Sequence, residues 1–216
     1  MPLIGRDEHM ATWREVLGER SGVRALGATS VALALTLYVY ANFLAAIEQR
    51  VGVVLTDPVL AALPALDLTW PIFVILYGAL VVAIVALLRD PMRLMLAVRA
   101  YATLVVIRMA CMWVIPLEPP AEMIPLIDPI VQSATGASEA LSRDLFFSGH
   151  TSILTLMACV MPRRGMRIFF AVLAVLMGCF VILQHVHYTI DVLVAPMAAF
   201  TAYTLMKGRG DLPDRQ

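Results

Sequence analysis

The sequence predicts an all-α polytopic membrane protein, a bundle of six transmembrane helices with both termini cytoplasmic, and three observations carry that prediction. The chain of 216 residues is 61% hydrophobic and 15% charged, well below the roughly 25% charged residues of soluble domains. Its apolar residues gather into six stretches near the length of about 20 residues needed to cross a hydrocarbon core of about 30 Å. Its Lys and Arg residues fall almost wholly on one side of an alternating six-span thread.

Taken in order, residues 1–22 form a polar leader containing Trp13 and Glu19, whose charges of both signs argue against a cleaved signal peptide. Spans are expected over 23–47, 70–88, 97–115, 145–161, 168–184 and 188–206, the fourth and fifth being short but bounded by charge or proline. They make one membrane domain, 23–206, followed by a tail at 207–216. Of the 16 basic residues, 13 belong to the N-terminus, the connections at 89–99 and 163–167, and the tail. Arg50 and Arg143 stand on the other face, and Arg108 falls inside the third span. The positive-inside rule then puts both termini in the cytoplasm. The opposite face carries two long loops, 48–69 and 116–144, rich in acids and proline. Prolines there oppose long regular helices and leave room for short interfacial ones.

Composition narrows the partners. Net charge is zero, which gives no ground for a nucleic-acid partner. Cys111, Cys159 and Cys179 lie in apolar runs and read as small buried hydrophobes, not as a disulfide framework or a zinc site.

Three stretches put costly polar groups at membrane depth or at its outer edge: RDLFFSGHTS with His150, HVHYTID with His187 and Asp191, and TLVVIRMACMW with Arg108. An ionisable group within a span marks function by default, because an unpaired charge there costs roughly 2.5 to 3.5 kcal/mol even on lenient scales. The thread brings the three to one level. Spans four and six enter from the outer side, and Arg108 lies roughly 10 Å below the outer end of span three at about 1.5 Å per residue. His187 and Asp191, four apart on a helix, share a face, so the carboxylate can orient the ring and leave its other nitrogen free to attack. His150 is suited to give a proton to a leaving group and to take one from an acceptor. Two histidines, an aspartate and an arginine suit phosphoryl transfer through a phosphohistidine, the arginine stabilising the non-bridging oxygens. His185 faces away from His187 on a helix, and Tyr188 reads as an interfacial anchor. Two other classes use the same residues: a zinc hydrolase with His150, His187 and Asp191 as ligands, and a transporter or proton relay. The gathering of polar groups at one side speaks against a pore, and their spacing fits no standard zinc motif.

The paired motifs DLFFSGHT and, with its histidine 37 residues on, HYTIDV resemble the sphingomyelin synthase family, a branch of the type-2 phosphatidic acid phosphatase superfamily of lipid phosphatases and phosphotransferases. The resemblance runs from about 99 to 200 and takes in IRMACMWVIPLEPP, similar to that family's arginine-bearing third span. It implies six spans, cytoplasmic termini and an exoplasmic active site. By the same resemblance His187 is the nucleophile, Asp191 its partner, His150 the acid and then the base, and Ser148 a hydrogen-bond donor to phosphate. Arg108, Arg143 and Asp144 complete the candidate substrate-binding set. Arg143 is a departure, since family members carry Cys-Gly where this chain has Ser142-Arg143, and Pro196 replaces a tyrosine. The absence of an earlier lysine motif and the presence of Phe147 before Ser-Gly-His favour the synthase side. The implied reaction moves a phospho-headgroup from a phospholipid to a lipid alcohol, ceramide or diacylglycerol, with water as the alternative acceptor. It requires no metal and no organic cofactor.

Overall fold

A computed structural model describes residues 12–128 and 142–208. Arg6, Pro129, Glu139, Arg209 and Arg215, on which parts of the charge and loop reading rest, lie outside the described residues. Among the described residues the regular structure is all helix, with no strand and one isolated parallel bridge between Val53 and Leu117.

The leader contains a short helix, α1 (Trp13–Gly18), closed by a capping box in which the Thr12 N–H donates to the Glu15 carboxylate at 2.7 Å and the Glu15 N–H to Thr12 Oγ1 at 3.4 Å. It turns directly into α2 (Arg20–Ile47). The first long loop holds α3 (Pro58–Ala62), which starts on Pro58 with Asp57 as its N-cap, a small helix of the kind the prolines permit. Next come α4 (Thr69–Leu87) and α5 (Pro91–Val114); the Asp90 carboxylate accepts the Arg93 N–H at 3.0 Å to start α5. The chain ends on α6 (Gly149–Val160), α7 (Arg164–Leu183) and α8 (Thr189–Lys207).

Five helices, α2, α4, α5, α7 and α8, are long and apolar enough to cross a membrane. Their outward faces are apolar: Val31, Trp70, Val74, Val175 and Met197 are all about two-thirds exposed, a surface that water does not support on every side of a bundle. The expected fourth span differs from the expectation. Its helix has 12 residues, because Leu145 to Ser148 enter the bundle as non-helical chain, all but Phe146 buried. Irregular backbone is tolerated among apolar surroundings only where protein covers it, and Leu145, Phe147 and Ser148 are at most 2% exposed. The neighbouring α7 has 20 residues, so α6 is shorter by about 12 Å at 1.5 Å per residue. Its N-terminus is therefore sunk below the end of α7.

The core lies where α6, α7 and α8 meet, with α4 and α5 alongside. Ala195, Ala198, Ala199 and Ala202 let α8 approach closely, and Gly178 of α7 has no room for a side chain, since a Cβ there would lie 2.8 Å from Val192 Cγ1. Of the cysteines, Cys111 and Cys159 are half-buried as small hydrophobes, whereas Cys179 faces outward, correcting the expectation of burial for the third.

The described parts of both long loops and the α7–α8 turn close one end of the bundle. Val53 and Glu118 exchange backbone bonds with the opposite segment at 3.0 Å, and the Leu66 N–H donates to Leu183 O at 2.8 Å. Gln184, wholly buried, donates to Thr69 Oγ1 at 2.9 Å and accepts from the Leu68 N–H at 3.1 Å. Tyr188 is an internal strut and not an interfacial anchor: it is 2% exposed, its hydroxyl donating to Glu118 O at 3.0 Å and accepting from the Leu55 N–H at 3.3 Å. Burying its ring while both hydroxyl valences are met removes the reason for it to sit in an interface.

Candidate active site

At the loop-covered end, a cavity of about 480 Å³ opens between α4, α5, α6 and the loops, a size that takes a ligand's polar head. Arg108, Asp144, His150 and His187 all line it. These residues come from α5, the segment before α6, the first turn of α6 and the turn before α8; three of the four residues expected to meet, Arg108, His150 and His187, line this cavity, and Asp191 does not.

His187 is 4% exposed and its Nδ1 lies 3.3 Å from Asp191 Oδ2. Asp191 is wholly buried, and the same oxygen accepts the Tyr188 N–H at 3.0 Å, making the carboxylate the cap of α8 as well as the partner of the ring. A carboxylate on Nδ1 fixes the tautomer that leaves Nε2 as a free lone pair. His150 sits in the first turn of α6, with Phe73 of α4 against it edge-on at 6.0 Å between centroids.

Arg108, 4% exposed, pairs with Asp144. Nη2 donates to Asp144 Oδ1 at 2.8 Å and to its backbone oxygen at 3.0 Å, Nε to Oδ1 at 3.2 Å, and the guanidinium lies 5.8 Å above the centre of the Phe147 ring. Burial works against the charged form of Asp144, but the Arg108 charge and its hydrogen bond, with the nearby His187 and the Tyr40 hydroxyl, hold the carboxyl below the ordinary carboxylate value. Arg108 Nη1 is buried with no hydrogen-bond partner among the described residues. It lies against Gly149, where a Cβ would stand 3.2 Å away. Gly149 and His150 open α6, so their backbone N–H groups have no partner within that helix. An unpaired guanidinium N–H beside a helix N-terminus is a donor set for an anion.

Two expected site residues stand elsewhere. Ser148 is wholly buried and caps α6, accepting the Thr151 N–H at 3.4 Å and donating to Thr151 Oγ1 at 3.1 Å; it supports the first turn and is not among the cavity-lining residues. Arg143 braces the loops. Its Nη2 and Nε reach Glu118 Oε2 at 3.0 and 3.1 Å, and Nη1 donates to the Glu48 carbonyl. The Gly52 N–H and then the Arg143 side chain hold the Glu118 carboxyl below its usual value. His185 is 3% exposed, occupies the left-handed backbone region at φ 57°, and lies outside the cavity lining. Among the described residues no group of three or more His, Cys, Asp or Glu is arranged to hold a metal ion.

Two contributors were missed in the sequence. Tyr40 of α2 lines the cavity, as does Asp128, whose carboxylate accepts the Tyr77 hydroxyl at 2.5 Å; neither carries a local signal. Gly149 was legible inside Ser-Gly-His, but only the distance to Arg108 explains it. Gly149→Ala is expected to push the Arg108 fork off the cavity and lower turnover about tenfold to a hundredfold, since misplacement on the order of 1 Å has that cost. Unchanged activity, measured against protein shown by gel filtration to be folded, would reject this account.

A comparison with curated proteins gives no match. Residues 143–207 match the family model described as PAP2 superfamily C-terminal. That segment holds Asp144, the Ser-Gly-His-Thr turn, His187 and Asp191, and the match supports the type-2 phosphatidic acid phosphatase superfamily, a family of enzymes acting on phosphate esters.

Proposed function

We propose that this protein is an integral membrane phosphotransferase that moves a phospho-headgroup from a phospholipid to a lipid alcohol such as ceramide or diacylglycerol, by way of a phosphohistidine on His187. The single observation that carries the reading is the convergence of His150, His187 and Arg108 on one cavity, with Asp191 behind His187. His187 Nε2 attacks phosphorus, and the bond from phosphorus to the diacylglycerol oxygen breaks. His150, protonated at that moment, gives its proton to the departing oxygen. The acceptor hydroxyl then returns a proton to His150 and attacks phosphorus, and the N–P bond breaks. Negative charge on the non-bridging oxygens is met by Arg108 and by the N–H groups that open α6. Carboxylate support on Nδ1 keeps the imidazolium stable as charge develops.

The phosphotransferase belongs to the sphingomyelin synthase-like branch on the strength of the two spaced motifs, and to sphingolipid metabolism on the same ground. Its cavity faces the exoplasmic side, with α6 as the fourth of six spans and both termini in the cytoplasm. The division of 13 basic residues against two supports this orientation. A second reading, a lipid phosphate phosphatase or phospholipase-C-like hydrolase with water as acceptor, is favoured by the superfamily match, whose members include phosphatases.

Purified protein incubated in mixed lipids with a headgroup-labelled phospholipid, with and without ceramide or diacylglycerol, separates the readings by chromatography. A new labelled lipid that requires the added alcohol is the expected result. Soluble labelled phosphate or phospho-headgroup alone identifies the hydrolase. Label that stays on the donor under every condition overturns both.

A further inference from the structure

Helix α2 is the least embedded long helix: only Thr29 and Ile47 are buried along its 28 residues, and it packs chiefly on α5. Its polar side chains are mostly satisfied at home. Thr36 Oγ1 donates to Ala32 O at 2.8 Å and Asn42 Nδ2 to Tyr38 O at 2.8 Å, while Tyr38 itself is 70% exposed. Tyr40 is different. Its hydroxyl reaches the cavity wall, donating to Asp144 Oδ1 at 3.2 Å and accepting from Arg108 Nε at 3.3 Å. A phenol does both at once, so one oxygen on α2 joins both members of the ion pair.

That junction bears on where Arg108 points. Asp144 lies on non-helical chain before α6, so no helical backbone bonds fix its carboxylate. The bond from Nη2 to the Asp144 backbone oxygen at 3.0 Å ties the guanidinium to that segment, but the segment and the guanidinium remain free to shift together about the long arginine stem. The Tyr40 hydroxyl bonds to both partners from a third segment and removes that freedom. With Nε and Nη2 engaged on the Asp144 and Tyr40 side, Nη1 is left against Gly149 at the start of α6. We propose that Tyr40 is a positioning residue for phosphoryl transfer, holding the Arg108–Asp144 pair in the register that aims Nη1 at a bound phosphate. The inference rests on the proposed phosphoryl-transfer reading of the cavity.

A misaimed guanidinium still attracts an anion by its charge, so substrate binding changes little. Stabilisation of transition-state charge depends on aim and falls. Tyr40→Phe keeps the ring and removes only the hydroxyl. The expected result is a kcat lower by about tenfold with KM within about twofold, the scale of one hydrogen bond to a charged group, in protein that elutes and melts as wild type does. The effect runs through the arginine fork, so it vanishes where the fork is absent. In an Arg108→Lys background, where a point charge has no fork to aim, Tyr40→Phe changes kcat by less than about twofold. Full kcat in Tyr40→Phe, or the same tenfold loss in both backgrounds, overturns the inference. Wild type active with an unaffected Tyr40→Phe rejects this inference alone, whereas wild-type protein inert toward every labelled phospholipid rejects the phosphoryl-transfer reading and this inference with it.

Discussion

His187→Ala is expected to reduce turnover by about 10⁴-fold or more, to the level left by binding and electrostatics alone, as happens when a covalent nucleophile is removed. The side chain is 4% exposed and its Nδ1 is engaged by Asp191 at 3.3 Å, so the loss is chemical and local provided the variant folds. Asp191→Ala is a poorer probe, because that carboxylate also caps α8 through the Tyr188 N–H and its removal disturbs the helix start. The sharper partner experiment uses His150→Ala. With a natural phospholipid it is also inactive, since the alkoxide must leave without a proton, a cost of about 10² to 10⁴ in general-acid catalysis. With a nitrophenyl phosphodiester, whose leaving group needs no proton, the first step proceeds and the second lacks its base. Labelled phospho-headgroup then accumulates on His187 of the His150→Ala protein, acid-labile and base-stable as a phosphoramidate is. Label on another residue, or a His187→Ala protein that still turns over, sinks the assignment.

Which parts of this site could be read from sequence follows from how each residue is held. His187 and Asp191 are four residues apart, so their closeness in the chain pairs them, although His187 stands in the turn before α8 and the Asp191 carboxylate reaches back to it from the first turn of the helix. His150 and Arg108 joined them through topology, and that came from counting charges on loops. Hydropathy, however, does not distinguish a buried irregular segment from a helix, so Leu145 to Ser148 read as the start of a span. The hydroxyl of Ser148 turned inward for the same reason: a serine before a helix is a cap first. Arg143 looked like a substrate contact on a face poor in bases, and only the folded loops reveal Glu118 and the Glu48 carbonyl beside it. Tyr40 lies 104 residues from Asp144, and no periodicity links them. The pattern of six apolar stretches anticipated the helices, while the depth of the site depends on the short α6 and had no counterpart in the pattern.

Arg108→Met is expected to remove activity and also to destabilise the protein by about 3 to 5 kcal/mol, the scale for stripping one partner from a buried ion pair. The side chain of Arg108 is 5% exposed and that of Asp144 28%, so the orphaned carboxylate keeps only partial contact with solvent and the Tyr40 hydroxyl. Replacing both, as Arg108→Met with Asp144→Leu, removes the unpaired charge, and the melting temperature in detergent should return to within a few degrees of wild type while activity stays absent. Recovery of the fold without recovery of turnover separates the two roles of the pair; a double variant as unstable as the single one refutes the ion-pair account. Acid offers an independent check. The folded Asp144 carboxyl is held below its ordinary value, so the unfolded chain takes up the proton first as pH falls. The pair's contribution is complete above about pH 4, the ordinary aspartate value, and is lost as pH falls from there through the depressed folded value. Wild-type melting temperature should therefore drop across that acid range more steeply than that of the double variant, which has no such group to protonate, and parallel curves would show that Asp144 is not held by Arg108.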